Sequence, residues 1–363
     1  MDLIPYKPIL STKKYKKKLP PELLQNHSVN VIIRSPNWLG DAIMILPALY
    51  QIKKTLPNES KIHIVCQEKL RILWEAVPWI DNVFAFPGKR LNKQNIKKLK
   101  KIPNVISFIF PNSFGAAMDF YRCAFPVRIG RAGGLRSWML THQLPPKVKC
   151  KNNGYAQYHQ TSEYLEIVSV LCENSTSFDY PPIKANIDAE KIAGMDICGL
   201  RKKKILIIAP GTAYGPAKQW NVEKFAKIAQ YWEEKYNGTV IAVGTEKEKE
   251  IADSAISLCQ NAVNTAGKTS LAELIFLIEI CDICLANDSG VMHLAAACNC
   301  HGVAIFGSTD PIATGPIGGK WIILHEDVDC APCFERTCRK SSEKYSCLES
   351  ISVENAIDAI DFL

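Results

Sequence analysis

Three short stretches carry side chains whose chemistry exceeds what packing requires. The first is Ser35-Pro36-Asn37-Trp38-Leu39-Gly40-Asp41, in which a carboxylate follows a glycine where a helix should start. Asp41 in that place suits a general base, with Gly40 letting a substrate approach the backbone; it equally suits a helix N-cap. The second stretch, Pro210-Gly211-Thr212-Ala213-Tyr214-Gly215-Pro216-Ala217-Lys218-Gln219-Trp220, is a Gly- and Pro-rich loop that delivers Lys218. An ammonium there can neutralise phosphate, or simply face solvent. The third is Asn287-Asp288-Ser289-Gly290-Val291-Met292-His293, which follows the apolar run from Ile278 to Ala286 and leads into small residues. It reads as strand, turn, helix. A helix starting near Ser289 turns its unpaired N–H groups and positive dipole end toward whatever lies before the turn, and an anion is the natural occupant. The plainer alternative is that Asp288 caps the helix and Ser289-Gly290 permits close packing. His293, taken alone, reads as a satisfied, partly buried histidine.

Fourteen cysteines are many for a cytosolic protein. Cys66, Cys123, Cys172, Cys281, Cys284 and Cys298 stand singly in apolar surroundings and read as reduced core residues. Cys330-Ala-Pro-Cys333-Phe-Glu-Arg-Thr-Cys338, with Cys347 beyond it, differs. A C-x-x-C with two further cysteines nearby suits a tetrahedral metal site, although the second pair lacks the close spacing of a zinc ribbon. A loop that is merely rich in cysteine is the alternative.

The elements that must position these groups alternate. Val29–Arg34, Lys61–Cys66, Val83–Phe86 and Val105–Phe110 read as buried strands, with helices at 42–55, 70–76 and 92–101 between them. Pro47 should kink the first helix or mark an adjusted start. After a helix at 157–172, Pro181-Pro182 and Arg201-Lys202-Lys203-Lys204 mark a junction. Strand–helix alternation then restarts at Ile205–Ala209, continues through a helix capped by Asn221 with Val222, Phe225, Ile228, Ala229 and Trp232 on one face, and ends in a helix at 353–362. Two α/β halves in tandem follow, each with a parallel sheet, with a ligand cleft expected between them. The expected organisation is a basic tail at 1–28, an N-terminal domain at 29–185, a C-terminal domain at 200–350 and a terminal segment at 351–363.

A length of 363 residues and 47% hydrophobic content fit two globular domains. No apolar run reaches the roughly 18–20 residues that span a bilayer, and Lys13–Lys18 is followed by Leu19-Pro20-Pro21 instead of a signal-peptide core. A cytoplasmic protein is expected. The net charge of +8 is concentrated in Lys13–Lys18 and between Lys89 and Lys101. Such clusters attract an anionic surface or remain solvated faces; without aromatic interleaving or a recognition helix, nucleic acid is not an expected partner.

No G-x-x-x-x-G-K-[ST] occurs, and no G-x-G-x-x-G follows the first strand, which removes support for P-loop and dinucleotide enzymes. Hydrolase signatures are absent as well. Taken as an ordered set, the three stretches resemble the ADP-heptose:lipopolysaccharide heptosyltransferases of glycosyltransferase family nine, with the heptosyltransferase II subgroup the nearer match. The cysteine segment also resembles a Cys-Phe-Arg-Cys feature of that family.

The resemblance implies the GT-B architecture: two Rossmann-like domains with parallel sheets facing a central cleft, acceptor on the N-terminal side and sugar nucleotide on the C-terminal side. It has the last helix packing back on the N-terminal domain. Asp41 then matches the general base, with Asn37, Trp38 and Gly40 on the acceptor side. Gly211, Thr212, Lys218, Ser289, Gly290 and His293 match donor-binding positions. Asp288 is expected to orient the turn or meet sugar hydroxyls, and Glu246 or Glu248 to bind the adenosine ribose. The implied reaction is inverting and metal-independent, with ADP-heptose as donor and no cofactor; any metal would be structural, at Cys330, Cys333, Cys338 and Cys347. The implied acceptor is an anionic lipid-linked oligosaccharide at the inner face of the cytoplasmic membrane, where the basic tail gives a peripheral contact. Two other functions fit the same motifs: a GT-B transferase with another nucleotide sugar or a protein acceptor, and a catalytically silent nucleotide-sugar or lipid binder. The long basic tail and the high cysteine count depart from the family pattern.

Overall fold

A computed structural model describes residues 19, 28–146, 151–152, 155–156, 158–172 and 177–363. The basic cluster Lys13–Lys18 and nearly all of the expected tail lie outside the described residues. The chain divides into two compact units. The N-terminal unit holds residues 28–146 and Tyr158–Pro181; the C-terminal unit holds Pro182–Leu363 with the short stretches 151–152 and 155–156. The chain changes unit at Pro182. Ile183 N–H donates to the Ala297 carbonyl at 2.9 Å, and Ala185 N–H to a Glu279 carboxylate oxygen at 3.1 Å.

In the N-terminal unit, β1 (Asn30–Arg34), β2 (Lys61–Gln67), β3 (Asn82–Phe86), β4 (Val105–Ile109), β5 (Val127–Arg131) and β6 (His142–Leu144) form one sheet in the order β3-β2-β1-β4-β5-β6. Every pairing in it is parallel. β1 and β4 are mostly apolar and buried, apart from Asn30, Arg34 and Ser107, because a parallel sheet covered on both faces buries successive side chains alike. Two helices follow β1, α1 (Leu39–Met44) and α2 (Leu46–Thr55), with Pro47 in the first turn of the second. Proline lacks an N–H, so the helix divides ahead of it, as expected. Helix α3 (Gln160–Val168) completes the part of this unit that bears on the site.

The C-terminal unit repeats the plan. β7 (Ile205–Ala209), β8 (Thr239–Ala242), β9 (Ala262–Asn264), β10 (Ile283–Asn287), β11 (His301–Ile305) and β12 (Trp321–Leu324) lie in the order β9-β8-β7-β10-β11-β12, again all parallel. The helix expected at 222–232 is α4 (Val222–Tyr236), capped by Asn221, whose side-chain oxygen accepts from Glu223 N–H at 2.8 Å. Phe225, Ile228, Ala229 and Trp232 are buried against Leu206, Ile208 and Leu285 of the sheet. Each large side chain so buried contributes about 1.5–3 kcal/mol. Helices α5 (Leu271–Ile280) and α6 (Gly290–Ala297) flank β10 in sequence.

The last helix, α7 (Val353–Phe362), buries Ala356, Ala359 and Ile360 in the core of the C-terminal unit, alongside Trp232 and Ile305. Asp361 near its end accepts from Tyr231 and Tyr236 hydroxyls at 2.7 Å and pairs with Lys235 at 2.6 Å, all three on α4. Among the described residues no helix is long and apolar enough to cross a membrane.

Candidate active site

Both sheets run outward from their first strand in two directions, so the strand order reverses between β1 and β4 and again between β7 and β10. Loops at the carboxyl ends of strands beside such a reversal form the crevice where α/β folds bind ligands. All three stretches singled out above leave strands at these two points: residues 35–41 after β1, residues 210–220 after β7 and residues 287–293 after β10.

In the N-terminal unit, Arg34 ends β1 with its guanidinium inside the protein. Its Nη1 donates to the Ser35 carbonyl at 2.7 Å and to Asn37 Oδ1 at 3.4 Å, and the group lies 4.8 Å from the Phe86 ring centroid. Asn37 is thus held by the strand end, which fixes the path of the loop. Trp38 is 61% exposed, with Lys69 Nζ 5.5 Å from its ring centroid. Gly40 and Asp41 sit in the first turn of α1. Asp41 is therefore not the N-cap; Trp38 holds that place, with no side-chain capping bond. Asp41 Oδ1 accepts from Gln160 Nε2 at 3.2 Å, and the same amide donates to the Tyr164 hydroxyl at 2.6 Å. Burial raises the Tyr164 phenol above its usual range, with a smaller contribution from the Asp41 charge. Asp41 is thus a half-buried carboxylate in the first turn of a helix, with an amide from α3 donating to it.

Arginines are the group that sequence reading missed. Arg136, only 3% exposed, donates from Nη1 to the Pro111 carbonyl, while its Nε and Nη2 have no hydrogen-bond partner among the described residues. It lies over Gly130 at the end of β5, where a Cβ would stand 3.1 Å from Nη2. Burial pushes its pKa down to about 10, and Arg131 adds repulsion. Arg131 itself is neutralised by Glu166 at 2.7 Å. A buried guanidinium with unused donors is costly unless an anion completes it. Nothing in Arg128-Ile-Gly-Arg131-Ala-Gly-Gly-Leu-Arg136 announces this, because its meaning depends on which arginine is already paired.

In the C-terminal unit the second and third stretches are joined by Asn287. Its Oδ1 accepts from Trp220 N–H at 3.1 Å and its Nδ2 donates to the Pro210 carbonyl at 2.7 Å, so the end of β10 closes the loop after β7 at both ends. Lys218 Nζ then meets Asp288 Oδ2 at 2.5 Å, and Thr309 Oγ1 donates to the same oxygen at 2.6 Å. The ammonium is also 4.7 Å from the Tyr214 ring centroid, whose ring has the Arg336 guanidinium 5.2 Å away. Lys218 is therefore not an unpaired cation, and Asp288 orients it. An ammonium has three donors, so further N–H capacity remains for a ligand. Ser289 is the N-cap of α6 yet makes no capping bond, and its buried hydroxyl has no partner among the described residues. Gly290 opens the helix, leaving first-turn N–H groups at the same point. His293 is buried one turn in; burial pushes its pKa down to about 4, opposed by Asp288 and reinforced by Lys218. At neutral pH it carries no charge.

Thr212 accepts from Tyr214 N–H at 3.3 Å and shapes the loop. The structure separates the two glutamates that the sequence left open. Glu248 lies against Gly211, where a Cβ would be 2.4 Å from its Oε1, and it caps a helical turn by accepting from Thr245 N–H at 2.7 Å. Glu246 is exposed and lies against Gly267. Glu248, not Glu246, borders the loop that carries Lys218.

The cysteine segment has a clear structural part. Arg336 carbonyl accepts from Ala217 N–H at 3.1 Å, Phe334 carbonyl from the Tyr214 hydroxyl at 2.6 Å, and Phe334 N–H donates to the Ser308 carbonyl at 2.8 Å. These bonds clamp the loop that presents Lys218. Burial raises the Cys347 thiol to about 11, and Cys330, Cys333 and Cys338 are close enough to add to that shift. Among the described residues, however, no group of three His, Cys, Asp or Glu is arranged to hold a metal ion.

Two all-parallel six-stranded sheets of identical strand order, each with a strand-order reversal, define the GT-B fold class. The structure of Escherichia coli ADP-heptose lps heptosyltransferase II has the same fold, with a TM-score of 0.73 at 20% identity over 92% of this chain and 98% of that one. The chain belongs to glycosyltransferase family 9 (heptosyltransferase), whose model matches residues 97–344. It is similar to lipooligosaccharide heptosyltransferase 2 of Campylobacter jejuni subsp. jejuni serotype O:2, 28% identical over 91% of this chain and 97% of that protein. It is also similar to lipopolysaccharide heptosyltransferase 2 of Escherichia coli K12, 25% identical over 80% of this chain and 86% of that protein.

Proposed function

We propose that this protein transfers heptose from ADP-heptose to the inner core of lipopolysaccharide, with inversion and without a metal ion, as a heptosyltransferase of the second type. The observation that carries the proposal is the Lys218–Asp288 pair, latched by Asn287 beside the open N-terminus of α6. Asp41 takes the proton of an acceptor hydroxyl as that oxygen attacks the anomeric carbon. The bond from this carbon to the donor phosphate breaks, and its electron pair leaves with ADP. The charge gained by the leaving diphosphate meets the Lys218 ammonium, the Ser289 hydroxyl and the first N–H groups of α6, groups already in place before the reaction. Asp288 holds the ammonium in position, neutral His293 packs behind it, and Glu248 is the better placed glutamate for the donor ribose. No cofactor is assigned to the reaction.

Acceptors of this class carry carboxylate and phosphate groups, and Arg136 supplies the buried cation with free donors that such a ligand requires. The basic residues 13–18 favour peripheral contact with anionic lipid at the inner face of the cytoplasmic membrane. Deleting residues 1–20 should lower binding to anionic vesicles at low salt; equal binding by the shortened chain would refute that contact.

The direct test incubates the protein with ADP-heptose and a panel of Kdo-lipid acceptors and measures ADP release. Release that needs both donor and acceptor supports the transferase. Tight donor binding without turnover supports a silent binder, and turnover only with another nucleotide sugar moves the protein to a different transferase specificity.

A further inference from the structure

Four cysteines outside the cysteine-rich segment gather at the end of the C-terminal sheet away from Asp288: Cys281 and Cys284 around the start of β10, and Cys298 and Cys300 between α6 and β11. Two of them touch. Cys281 Sγ and Cys300 Sγ are 3.3 Å apart. The register explains why: Ile283 of β10 lies beside His301 of β11, so the residues just ahead of the two parallel strands are neighbours. Adjacent strands lie about 4.8 Å apart, inside the range of Cα separations, roughly 4.4–6.8 Å, that a disulfide spans.

We propose that Cys281 and Cys300 are a covalent modification site, forming a reversible intramolecular disulfide by exchange with a low-molecular-weight disulfide. Cys281 is the more accessible of the two, Cys300 being only 7% exposed, and it takes the first step. Its thiolate attacks one sulfur of the small disulfide and expels one small thiolate, leaving a mixed disulfide on Cys281. The Cys300 thiolate then attacks the Cys281 sulfur and expels the second. The protein loses two electrons and two protons; the small disulfide gains both and departs as two thiols. Closure needs a sulfur movement of only about 1 Å, since a disulfide bond is about 2.05 Å long.

Each thiol has a carbonyl acceptor when reduced: Cys281 Sγ donates to Ile278 O at 3.2 Å and Cys300 Sγ to His301 O at 3.1 Å. The contact with Cys300, together with burial, keeps the Cys281 thiol well above its usual range. The pair therefore stays reduced until an oxidising disulfide is supplied, and reacts slowly. The closed ring would contain β10, the turn with Asp288 and Ser289, and all of α6. Its sulfurs lie at the opposite end of β10 from Asp288, so it ties the unit that carries the donor groups without pulling on them. The expected consequence is a more stable C-terminal unit with donor affinity unchanged.

The test exposes the full chain to glutathione disulfide at mildly alkaline pH, blocks remaining thiols and digests it with a protease that cleaves before aspartate. Cuts before Asp282 and Asp288 place Cys281, Cys284 and the Cys298/Cys300 pair on three different peptides. A cross-linked pair joining the first and third peptides, lacking two hydrogens relative to the reduced pair and released by reductant, is expected. It should persist in Cys298→Ser and vanish in Cys281→Ser and Cys300→Ser. Oxidation should raise the melting temperature of the wild-type chain by at least a few degrees, reversibly, and leave the two vanishing variants unmoved. Persistent glutathione adducts on Cys281, a cross-link through Cys284 or Cys298, or no cross-link at all would overturn the proposal. Each readout is independent of ADP release, so its failure is separable from failure of the proposed transferase activity.

Discussion

The loops after β1 and after β7 leave the same strand of the same topology, yet they present opposite chemistry. After β1 a carboxylate stands in the first turn of a helix and accepts from the Gln160 amide, while elsewhere in the same unit, beyond β5, the Arg136 guanidinium has two nitrogens without a hydrogen-bond partner among the described residues. After β7 every charged group is already committed: Lys218 to Asp288, Asp288 also to Thr309, and the whole loop to Asn287 and Arg336. The first loop carries a half-buried carboxylate, the second a buried ion pair fixed by its neighbours. Identical topologies thus carry different groups, and only the side chains distinguish them.

The strongest way to break this comparison is to remove the proton acceptor. Asp41→Asn keeps the shape and the Gln160 neighbour but lacks a basic oxygen, and general-base catalysis is worth about 10²–10⁴ in rate. The kcat for acceptor-dependent ADP release should fall by that factor while the dissociation constant for ADP-heptose stays put. Loss of less than tenfold would mean that the base lies elsewhere.

On the C-terminal side the same operation should act on folding as well as on binding. The Lys218 and Asp288 side chains are 14% and 4% exposed. Removing one partner of such a buried pair leaves an uncompensated charge and costs about 3–5 kcal/mol. Lys218→Met should therefore lower stability in urea melts and weaken donor binding together. Adding Asp288→Asn should restore much of the stability but not the binding. If Lys218→Met is as stable as the parent, the pair is not the organising contact described above.

His293 gives the comparison a pH axis. Its pKa is about 4 in the folded protein against an ordinary 6.5, the main cause being burial. The folded value is depressed, so the unfolded chain takes up this proton first as pH falls. Stability from His293 is complete above pH 6.5 and is lost progressively down to pH 4, by roughly 3 kcal/mol at 1.36 kcal/mol per unit. The urea midpoint of wild-type protein should fall across that window more steeply than that of His293→Gln, which has no proton to take up. Parallel slopes would show that His293 is not buried neutral.

Much of this was legible in the sequence, and the omissions have physical causes. The central strands β1, β4, β7 and β10 are predominantly apolar, so short apolar runs show them directly. The strands β5, β6 and β9 do not read as strands, because short segments such as Val127-Arg-Ile-Gly-Arg131 and His142-Gln-Leu144 mix charge, glycine and polar residues; β12 is apolar but only four residues long. The divided first helix followed from Pro47. The placement of α7 did not follow from its own residues: an amphipathic helix shows that it has an apolar face, not which core receives it. At the site, Lys218, Asp288 and Asp41 stood out as residue types in marked loops. Their pairing did not, since Lys218 and Asp288 are seventy residues apart in sequence and meet only through the β7–β10 neighbourhood. Asn287 was quoted only as part of its motif, although its side chain closes the loop.

The smallest expected effect is the one that most cleanly separates binding from structure. A buried cation with unpaired donors destabilises the unliganded fold, so replacing Arg136 by methionine should leave the protein as stable as before or slightly more so. If the group serves an anionic acceptor, the same change should raise the acceptor KM by about tenfold, the loss of one charge-assisted contact, with kcat and donor affinity close to wild type. A residue kept only for packing would give the reverse, a lower melting temperature and an unchanged KM. Arg131→Met provides the contrast within the same loop: it removes the cation of the buried Arg131–Glu166 pair, so stability should fall there even if acceptor binding does not change. The two arginines lie five residues apart in sequence, and only one of them has its charge already spoken for.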